Sequence, residues 1–365
     1  MEQHARYARQ MVLPEIGPEG QARLGNTRVL MIGAGGLGCP ALLYLAGAGV
    51  GTIGIIDHDR VDESNLHRQV LFQDSDKGQP KASAARAHLQ AQNPMIAIHA
   101  YDAELTERNA PGLFAEYDLI IDGTDNFPAT FLINDAAVKA GKPVIYGAIQ
   151  GFEGQLSVFD AASGGPCYRC LYPEAPRGII QNCAEAGVIG ALPGMIGTMQ
   201  AMEAIKMIVA DPSFQPLRGK LWMMDTKTME TRLLSLQKNP ACPVCSRARE
   251  EITLRYASPP VCALSQAVEE VDCDALEHMA HCTLIDVREQ EEWDRGHIEN
   301  ALLLPLSTIR QDPEQFSPHR GKPCILYCQR GMRSRMAAEI LMQAGFTGLY
   351  SLSGGYEAWQ QRRQS

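Results

Sequence analysis

Short apolar runs alternate with longer amphipathic stretches between Val29 and Met224. The runs are rich in valine and isoleucine and read "RVLMIGAGG", "TIGIIDHD", "DLIIDGTD" and "KPVIYGAI". This alternation predicts β-α-β units on a mainly parallel sheet. A smaller pattern of the same kind follows near the carboxyl end, with predicted strands at "TLIDV", "CILYC" and "GLYSLSG".

A polar, proline-containing stretch without clear periodicity separates the two patterns, from about Ser246 to Ser265. We interpret it as a linker. The predicted domains are therefore residues 1–248 and 267–365, both of the α/β class, joined by residues 249–266.

Charge and composition narrow the possible functions. The chain has 33 Lys and Arg residues against 42 Asp and Glu, a net charge of −9, which excludes the basic footprint of a nucleic-acid binder. A charged amino terminus and the lack of a long apolar run predict neither a signal peptide nor a membrane span, and hence a cytoplasmic protein. Eleven cysteines in that compartment indicate metal or thiol chemistry.

Gly33, Gly35 and Gly38 form a G-x-G-x-x-G pattern between a predicted strand and a helix, and Asp57 ends the next strand. That spacing alone fits an NAD site or merely close helix–strand packing. The polar residues that follow are Asn65, Arg68, Lys81, Asp125 and Asn126. Cations and an acid near strand ends suit a triphosphate with Mg²⁺ better than a dinucleotide.

Several stretches together resemble the MoeB/ThiF family, relatives of ubiquitin-activating enzymes. They are "RYARQMVLPEIGPEGQ", "GAGGLG", "DHDRVDESNLHRQ", "GQPKA", "DGTDN" and two C-x-x-C pairs, within about the first 245 residues. The resemblance implies a Rossmann-like adenylation domain of the ubiquitin-activating type. It also implies ATP-dependent adenylation of the C-terminal glycine carboxylate of a small ubiquitin-like sulfur carrier protein.

The same resemblance implies roles for individual residues. Asp57 would hold the ribose, Arg68 and Lys81 the phosphates, and Asp125 the Mg²⁺. The full expected ATP site is Gly36, Asp57, Ser64, Asn65, Arg68, Lys81, Asp125 and Asn126. Arg9 would reach the active site of a partner subunit, which implies a homodimer. The chain departs from the family at Thr130, where an arginine is usual, and this predicts slower or altered adenylation.

Two C-x-x-C pairs, Cys167 with Cys170 and Cys242 with Cys245, supply four thiolates of the kind that form structural zinc sites. Their separation by 71 residues is unusual for a compact zinc finger. The resemblance implies a structural Zn²⁺ held by all four cysteines, and a thioredoxin-like redox pair is the alternative. Neither pair is predicted to open a helix directly after a strand.

Cys183, in "QNCAEAGVIGALPG", follows a polar loop and precedes a glycine-rich helix start. In fused relatives of the family a cysteine at this position links covalently to the carrier. The resemblance therefore makes Cys183 a candidate relay, and a buried structural thiol is the alternative.

The stretch "CQRGMRS", from Cys328 to Ser334, places a cysteine in a loop between a strand and a helix. Backbone N–H groups and the helix dipole should favour a thiolate there. A cysteine phosphatase would need C-x5-R, whereas here the arginine comes one place early, so the loop is small for phosphate.

The segments "LIDVREQEEWDRGHIENALLLP" and "LSGGYEAW" on either side resemble rhodanese domains, from about Glu269 to the end. By that resemblance Cys328 carries a persulfide, Arg330 and Arg333 hold the anionic sulfur, and Asp286 and Arg288 brace the loop. A degenerate regulatory module is the alternative.

The two halves predict one reaction: adenylation of a carrier, then persulfide transfer to give a thiocarboxylate. The sulfur would come from a cysteine desulfurase or thiosulfate. An activator of a protein modifier for lysine conjugation and an NAD-dependent oxidoreductase remain alternatives. The sequence leaves open whether the pathway makes molybdopterin, thiamine, thiolated tRNA, cysteine or a secondary metabolite.

Overall fold

The structure is a computed structural model, which describes residues 2–174, 187–254, 268–279 and 282–364. The chain divides into two compact units, Met1–Pro259 and Pro260–Ser365. No helix in the described parts is both long enough and apolar enough to cross a membrane.

Helices and strands alternate through most of the first unit. Its strands are β1 (Arg28–Ile32), β2 (Thr52–Ile56), β3 (Ala97–Tyr101), β4 (Leu119–Asp122), β5 (Val144–Gln150), β6 (Glu153–Phe159), β7 (Lys220–Asp225) and β8 (Glu230–Ser235). Its helices are α1 (Glu2–Met11), α2 (Gly17–Asn26), α3 (Gly38–Ala48), α4 (Lys81–Gln92), α5 (Ala110–Glu116), α6 (Phe127–Ala140), α7 (Tyr168–Leu171) and α8 (Ala191–Val209).

The strands of this unit form one sheet in the order β3-β2-β1-β4-β5-β6-β7-β8. Strands β1 to β5 pair in parallel, as predicted, whereas β5 to β8 pair antiparallel. Strand β1 lies between β2 and β4, and in register Ile32 faces both Ile56 and Asp122. The carboxyl ends of these three strands therefore meet at one edge, where the strand order reverses and a crevice forms.

Both faces of the parallel strands are covered. Along β1, Val29 and Met31 belong to one buried cluster, and Leu30 and Ile32 belong to another. Successive side chains of a strand point to opposite faces, so each face packs against its own layer of helices. This explains why the strand is a continuous apolar run.

The core of the first unit extends beyond its sheet. Ile252, within the segment predicted as linker, is buried in a cluster with Cys167 and Cys242, and its carbonyl accepts a hydrogen bond of 2.6 Å from Lys139 Nζ. The predicted boundary at residue 248 and the linker itself stay predictions, because residues 255–267 lie outside the described parts.

The second unit is a smaller α/β structure. Its strands are β9 (Glu269–Val271), β10 (Thr283–Asp286), β11 (Leu302–Leu303), β12 (Cys324–Tyr327) and β13 (Leu349–Leu352), and its helices are α9 (Cys273–His278), α10 (Gln290–Asp294), α11 (Leu306–Gln311), α12 (Met332–Gln343) and α13 (Gly355–Gln364). All strand pairs are parallel, in the order β11-β10-β12-β13-β9. Strand β12 is central, so the loop after it emerges from the middle of the sheet.

Candidate active sites

The glycine-rich turn after β1 is fixed by close backbone contacts. Gly33 has a φ of +90°, in the left-handed region. A Cβ atom on Gly38 would lie 2.0 Å from the carbonyl oxygen of Gly33, so only glycine allows α3 to begin here. Asp57, at the end of β2, accepts hydrogen bonds from the N–H groups of Ala34 (2.7 Å) and Asp59 (2.8 Å). Burial raises the pKa of Asp57.

A cavity of about 290 Å³ opens at this edge of the sheet. The sequence predicted eight residues for an ATP site, and the cavity is lined by all of them except Ser64: Gly36, Asp57, Asn65, Arg68, Lys81, Asp125 and Asn126. Ser64 is exposed, and its carbonyl accepts a hydrogen bond of 3.1 Å from Arg68 Nη1. In this arrangement Ser64 orients Arg68 rather than lining the cavity.

The two cations of the cavity are oriented by polar neighbours. Arg68 Nη2 donates to Asn65 Oδ1 at 2.6 Å. Lys81 is only 4% exposed, and its ammonium lies 2.8 Å from Asp59 Oδ2. Burial opposes ionisation of Asp59, but the hydrogen bond from Lys81 and the charges of Lys81 and His58 together outweigh it and lower the pKa of that carboxyl. Both cations can therefore present positive charge to an anionic ligand in fixed positions.

The acidic wall of the cavity follows β4. Asp122 is buried, and its Oδ1 accepts hydrogen bonds from the backbone N–H (3.0 Å) and the hydroxyl (2.7 Å) of Thr124. This turn presents Asp125 to solvent at the cavity wall. Asn126 caps α6, since its Oδ1 accepts from the N–H of Ala129 at 2.9 Å. Burial raises the pKa of Asp122 to about 6.

A second cavity of about 160 Å³ shares part of its wall with the first. Thr124, Asp125, Asn126 and Ile149 line both. Thr130 lies in the wall of the second cavity together with three tyrosines, and it is 8% exposed. Thus Thr130, the predicted departure from the family pattern, carries a short side chain in the wall of this cavity.

Two residues predicted to act in adenylation are not in these cavities. Arg9 is exposed in the last turn of α1 and is not part of either wall as the structure describes them. Cys183 lies outside the described residues, within 175–186. The roles of Arg9 in a partner subunit and of Cys183 as a relay stay predictions.

The four cysteines of the two C-x-x-C pairs come together. Their sulfur atoms all lie within 4.8 Å of one another, with Cys167 Sγ 3.6 Å from Cys242 Sγ and Cys170 Sγ 3.4 Å from Cys245 Sγ. Tetrahedral Zn–S bonds of about 2.3 Å place sulfurs about 3.8 Å apart, so the cluster fits Zn²⁺. Burial and the neighbouring sulfur of Cys242 raise the pKa of Cys167, so a thiolate at this position is favoured only with a cation beside it.

A thioredoxin-like redox pair would open a helix directly after a strand, and the sequence predicted that neither C-x-x-C pair does so. Cys167 does precede the single-turn helix α7, but a 3-10 turn at Ala161–Ser163 separates that helix from β6. Each of the two short sulfur–sulfur distances joins one C-x-x-C pair to the other. The geometry favours a shared metal site over two separate dithiols.

In the second unit, the loop after β12 forms a cradle around Cys328. The residue is 2% exposed, and its sulfur accepts a hydrogen bond of 3.2 Å from the N–H of Gly331. The hydroxyl of Ser334 lies 3.8 Å from the same sulfur. A Cβ atom on Gly355 would lie 2.3 Å from the carbonyl oxygen of Cys328, so this glycine lets α13 close over the loop.

Each loop arginine is bound by a carboxylate. Arg333 makes two hydrogen bonds of 2.6 Å to Glu292, and Arg330 Nε lies 3.0 Å from Glu357 Oε2. The arginines thus lie beside the cysteine, but their guanidinium groups are engaged by acids. This pairing was not among the predictions from the sequence.

Asp286 and Arg288 form a buried ion pair of 2.7 Å. Arg288 Nη1 also donates to Gln329 Oε1 at 3.2 Å, and Gln329 Nε2 donates to Glu357 at 3.2 Å. The predicted bracing pair therefore contacts the loop through Gln329. Glu292 and Glu357 lie in the segments "DVREQEEW" and "GGYEAW". Their negative charge is the sequence feature that could have indicated partners for the two loop arginines.

The comparisons with known proteins agree with this division. The profile of the ThiF family matches residues 7–244, and that of the rhodanese-like domain matches residues 271–362. This chain belongs to the ThiF family. As a ThiF-family protein it carries a rhodanese-like domain at its carboxyl end, as the sequence predicted.

Named relatives share this organisation. The ThiF-family chain is 42% identical to the probable adenylyltransferase/sulfurtransferase MoeZ of Mycobacterium tuberculosis strain H37Rv, over all of this chain and 94% of that protein. It is 36% identical to the adenylyltransferase and sulfurtransferase uba4 of Ogataea parapolymorpha, over 99% of this chain and 97% of that protein. The sulfur carrier protein adenylyltransferase of Thermus thermophilus is 49% identical over 66% of this chain and 90% of its own length.

Among solved structures, the crystal structure of E. coli MccB with ATP has a TM-score of 0.59 and 22% identity, over 66% of this chain and 75% of that one. At this identity the similarity shows the fold alone. It supports the predicted Rossmann-like adenylation fold of the first unit.

Proposed function

We propose that this protein adenylates the C-terminal carboxylate of a small ubiquitin-like sulfur carrier protein and then converts it into a thiocarboxylate. The observation that carries the proposal is the cavity that combines Arg68, Lys81 and Asp125, in one chain with the cradle around Cys328. The relatives named as adenylyltransferase and sulfurtransferase along their whole length support both halves. Membership of the ThiF family gives no support to the dehydrogenase alternative.

The first half-reaction activates a poor electrophile. A carboxylate oxygen of the carrier attacks the α-phosphorus of ATP, the bond between the α- and β-phosphates breaks, and pyrophosphate leaves. Arg68 and Lys81 would stabilise the charge on the phosphates, and Asp125 would hold Mg²⁺ beside them. Asp57 would accept hydrogen bonds from the ribose, since strand-end acids of such folds occupy that place.

The C-terminal tail of the carrier must reach the α-phosphate of the bound ATP. The second cavity meets the nucleotide cavity at Thr124, Asp125, Asn126 and Ile149, and we assign the terminal residues of the carrier to it. Thr130 keeps this cavity open, because an arginine in its place would fill part of it. Slower adenylation because of Thr130 remains a prediction.

The second half-reaction transfers sulfur. The terminal sulfur of a Cys328 persulfide attacks the carbonyl carbon of the acyl-adenylate, and AMP leaves with its electron pair. An acyl disulfide between carrier and Cys328 results. A second thiol, for which Cys183 is the candidate, attacks Cys328 Sγ, so that the sulfur–sulfur bond breaks and the thiocarboxylate leaves. The new disulfide is then reduced by a cellular dithiol.

Further parts of the proposal concern assembly and cofactors. Zn²⁺ bound by Cys167, Cys170, Cys242 and Cys245 would hold the two C-x-x-C segments together. Arg9 would complete the nucleotide site of the other subunit in a cytoplasmic homodimer. Persulfide from a desulfurase or sulfur from thiosulfate would load Cys328.

ATP–pyrophosphate exchange dependent on a Gly-Gly-ending carrier tests the first half-reaction. Asp125→Ala should abolish exchange while thiosulfate:cyanide sulfurtransferase activity persists, because that activity belongs to the other unit. Asp118→Ala is the matched control, since Asp118 is exposed just before β4 whereas Asp125 follows that strand. Normal exchange by Asp125→Ala would contradict the proposed site.

A further inference from the structure

The two ion pairs at the loop differ in their exposure. Arg333 and Glu292 are joined by two hydrogen bonds, and their side chains are 35% and 29% exposed. Arg330 is 76% exposed, and its partner Glu357 is 37% exposed. The pair of Arg330 and Glu357 is therefore the more exposed to solvent.

Glu357 is also held in place from the loop side. Its Oε1 accepts hydrogen bonds of 3.2 Å from both Gln329 Nε2 and Arg330 Nε. Its own backbone N–H donates to the carbonyl of Gln329 at 3.1 Å. The hydrogen bond from Gln329, together with Arg330, lowers the pKa of Glu357, so this carboxylate is charged at neutral pH. Its negative charge is thus held against Gln329, the residue that follows the nucleophilic Cys328.

These pairs change the charge that a sulfur donor meets. Two arginines alone would give the mouth of the loop a charge of about +2, whereas with Glu292 and Glu357 the four groups sum to zero. Thiosulfate carries two negative charges, and a persulfide or a thiosulfonate carries one. Coulombic attraction or repulsion is proportional to donor charge, so a neutral mouth removes the advantage that arginines would give the dianion.

We propose that Glu357 is a specificity-determining residue that disfavours small dianionic sulfur donors and leaves Cys328 to monoanionic donors of the persulfide class. The inference rests on the proposed sulfurtransferase activity and specifies which donors it accepts. Glu357 acts through Arg330 and through its own field, without contact with the reacting sulfur. Glu292 is also negatively charged, but its two hydrogen bonds to Arg333 also hold the loop in place.

The loading step is the same for either charge class. The Cys328 thiolate attacks the outer sulfur of the donor, and a new sulfur–sulfur bond forms. The bond between that sulfur and the sulfonyl group breaks, and the sulfonyl group takes the electron pair. Thiosulfate thereby releases sulfite, and methanethiosulfonate releases methanesulfinate. The two donors react by one mechanism and differ in charge, so their comparison isolates electrostatics.

The test measures kcat/KM for both donors with cyanide as acceptor, in the full chain. Glu357→Gln removes one negative charge and keeps the side-chain shape. It should raise kcat/KM by about threefold for methanethiosulfonate and about tenfold for thiosulfate, because the dianion gains twice the free energy. The preference for thiosulfate over the monoanion should therefore rise about threefold.

A double-mutant cycle of Glu357 and Arg330 makes the test independent of any single variant. Arg330→Gln removes the cation that neutralises Glu357, which keeps its hydrogen bond from Gln329, and should lower the thiosulfate preference about threefold. The double variant should return the preference near the native value. Added salt should shrink both shifts, since the Debye length is about 10 Å at 0.1 M. Glu314→Gln, which loses the partner of Arg320 outside the loop, should leave the preference unchanged.

The possible failures are separable. If Cys328-dependent transfer occurs but both single variants keep the native donor preference, Glu357 does not select donors and this inference is wrong. If neither donor loads Cys328 in the native protein, the sulfurtransferase half of the proposed function is wrong, and this inference falls with it.

Discussion

Asp122→Asn should stabilise the first unit at neutral pH. Burial raises the pKa of Asp122 from an ordinary value of 3.8 to about 6. Because one pKa unit corresponds to about 1.4 kcal/mol, keeping Asp122 ionised in the fold costs about 3 kcal/mol. A carboxyl whose pKa is raised by folding stabilises the fold fully below its unfolded pKa and loses that contribution as pH rises through its folded pKa. The wild-type protein should therefore lose stability between about pH 4 and pH 6.

Asparagine reproduces the neutral carboxyl. Its Oδ1 can still accept from the N–H and hydroxyl of Thr124. Asp122 Oδ2 makes no hydrogen bond of regular geometry among the described residues, and the Thr130 side chain is its polar neighbour. The variant should match wild type near pH 4 and exceed it by about 3 kcal/mol at pH 8. Amide hydrogen exchange of β1 and β4 peptides should then be slower by up to about 150-fold at pH 8.

Asp225→Asn is the matched control. Asp225 also ends a strand and accepts a hydrogen bond from the N–H two residues on, at 2.8 Å from Lys227, but it is half-buried. Its substitution should leave exchange in β1 and β4 unchanged at both pH values. Equal exchange protection of Asp122→Asn and wild type at pH 8 would refute the argument that Asp122 is ionised at the expense of stability.

Other consequences of the two sites can be measured directly. Purified protein should contain about one Zn²⁺ per chain, and Cys242→Ser should lose the metal and lower the melting temperature, since structural zinc contributes folding free energy; a metal-free protein of unchanged stability would contradict this. Lys81→Met should raise the KM for ATP in pyrophosphate exchange by about 10- to 100-fold, as expected for a lost charge-assisted hydrogen bond. Lys142→Met should not, because Lys142 is half-buried and is not part of either cavity wall; an unchanged KM for Lys81→Met would remove Lys81 from the phosphate site.

Part of the fold could be predicted because a strand that is buried on both faces consists mainly of apolar residues. Strands β1, β2, β4 and β5 are covered on both faces, so they appear as continuous Val/Ile-rich runs. Strand β8, "ETRLLS", is exposed at every residue and lies at the edge of the sheet. Its sequence therefore lacks the continuous apolar run that identifies a buried strand. Its antiparallel pairing with β7 arises from tertiary structure, and the prediction of a mainly parallel sheet did not include it.

The candidate sites, like the fold, could be predicted only in part. Residues at strand ends, such as Asp57 and Asp125, could be placed together because parallel strands end at one edge. The ion pairs in these sites could not be predicted, because they join residues that are distant in sequence. Lys81 and Asp59 are 22 positions apart, and Arg333 and Glu292 are 41 positions apart. The clustering of two cysteine pairs 75 positions apart likewise depends on the fold.

Mass spectrometry of the carrier protein tests the central claim most directly. Incubation of the native chain with ATP, Mg²⁺, a sulfur donor and a Gly-Gly-ending carrier should replace one carboxyl oxygen by sulfur, a mass increase of about 16 Da from the chemistry of the proposed transfer. Cys328→Ala should abolish that mass shift and keep ATP–pyrophosphate exchange, because the exchange belongs to the cavity of the first unit. A Cys328→Ala chain that still forms thiocarboxylate at the native rate would contradict the account.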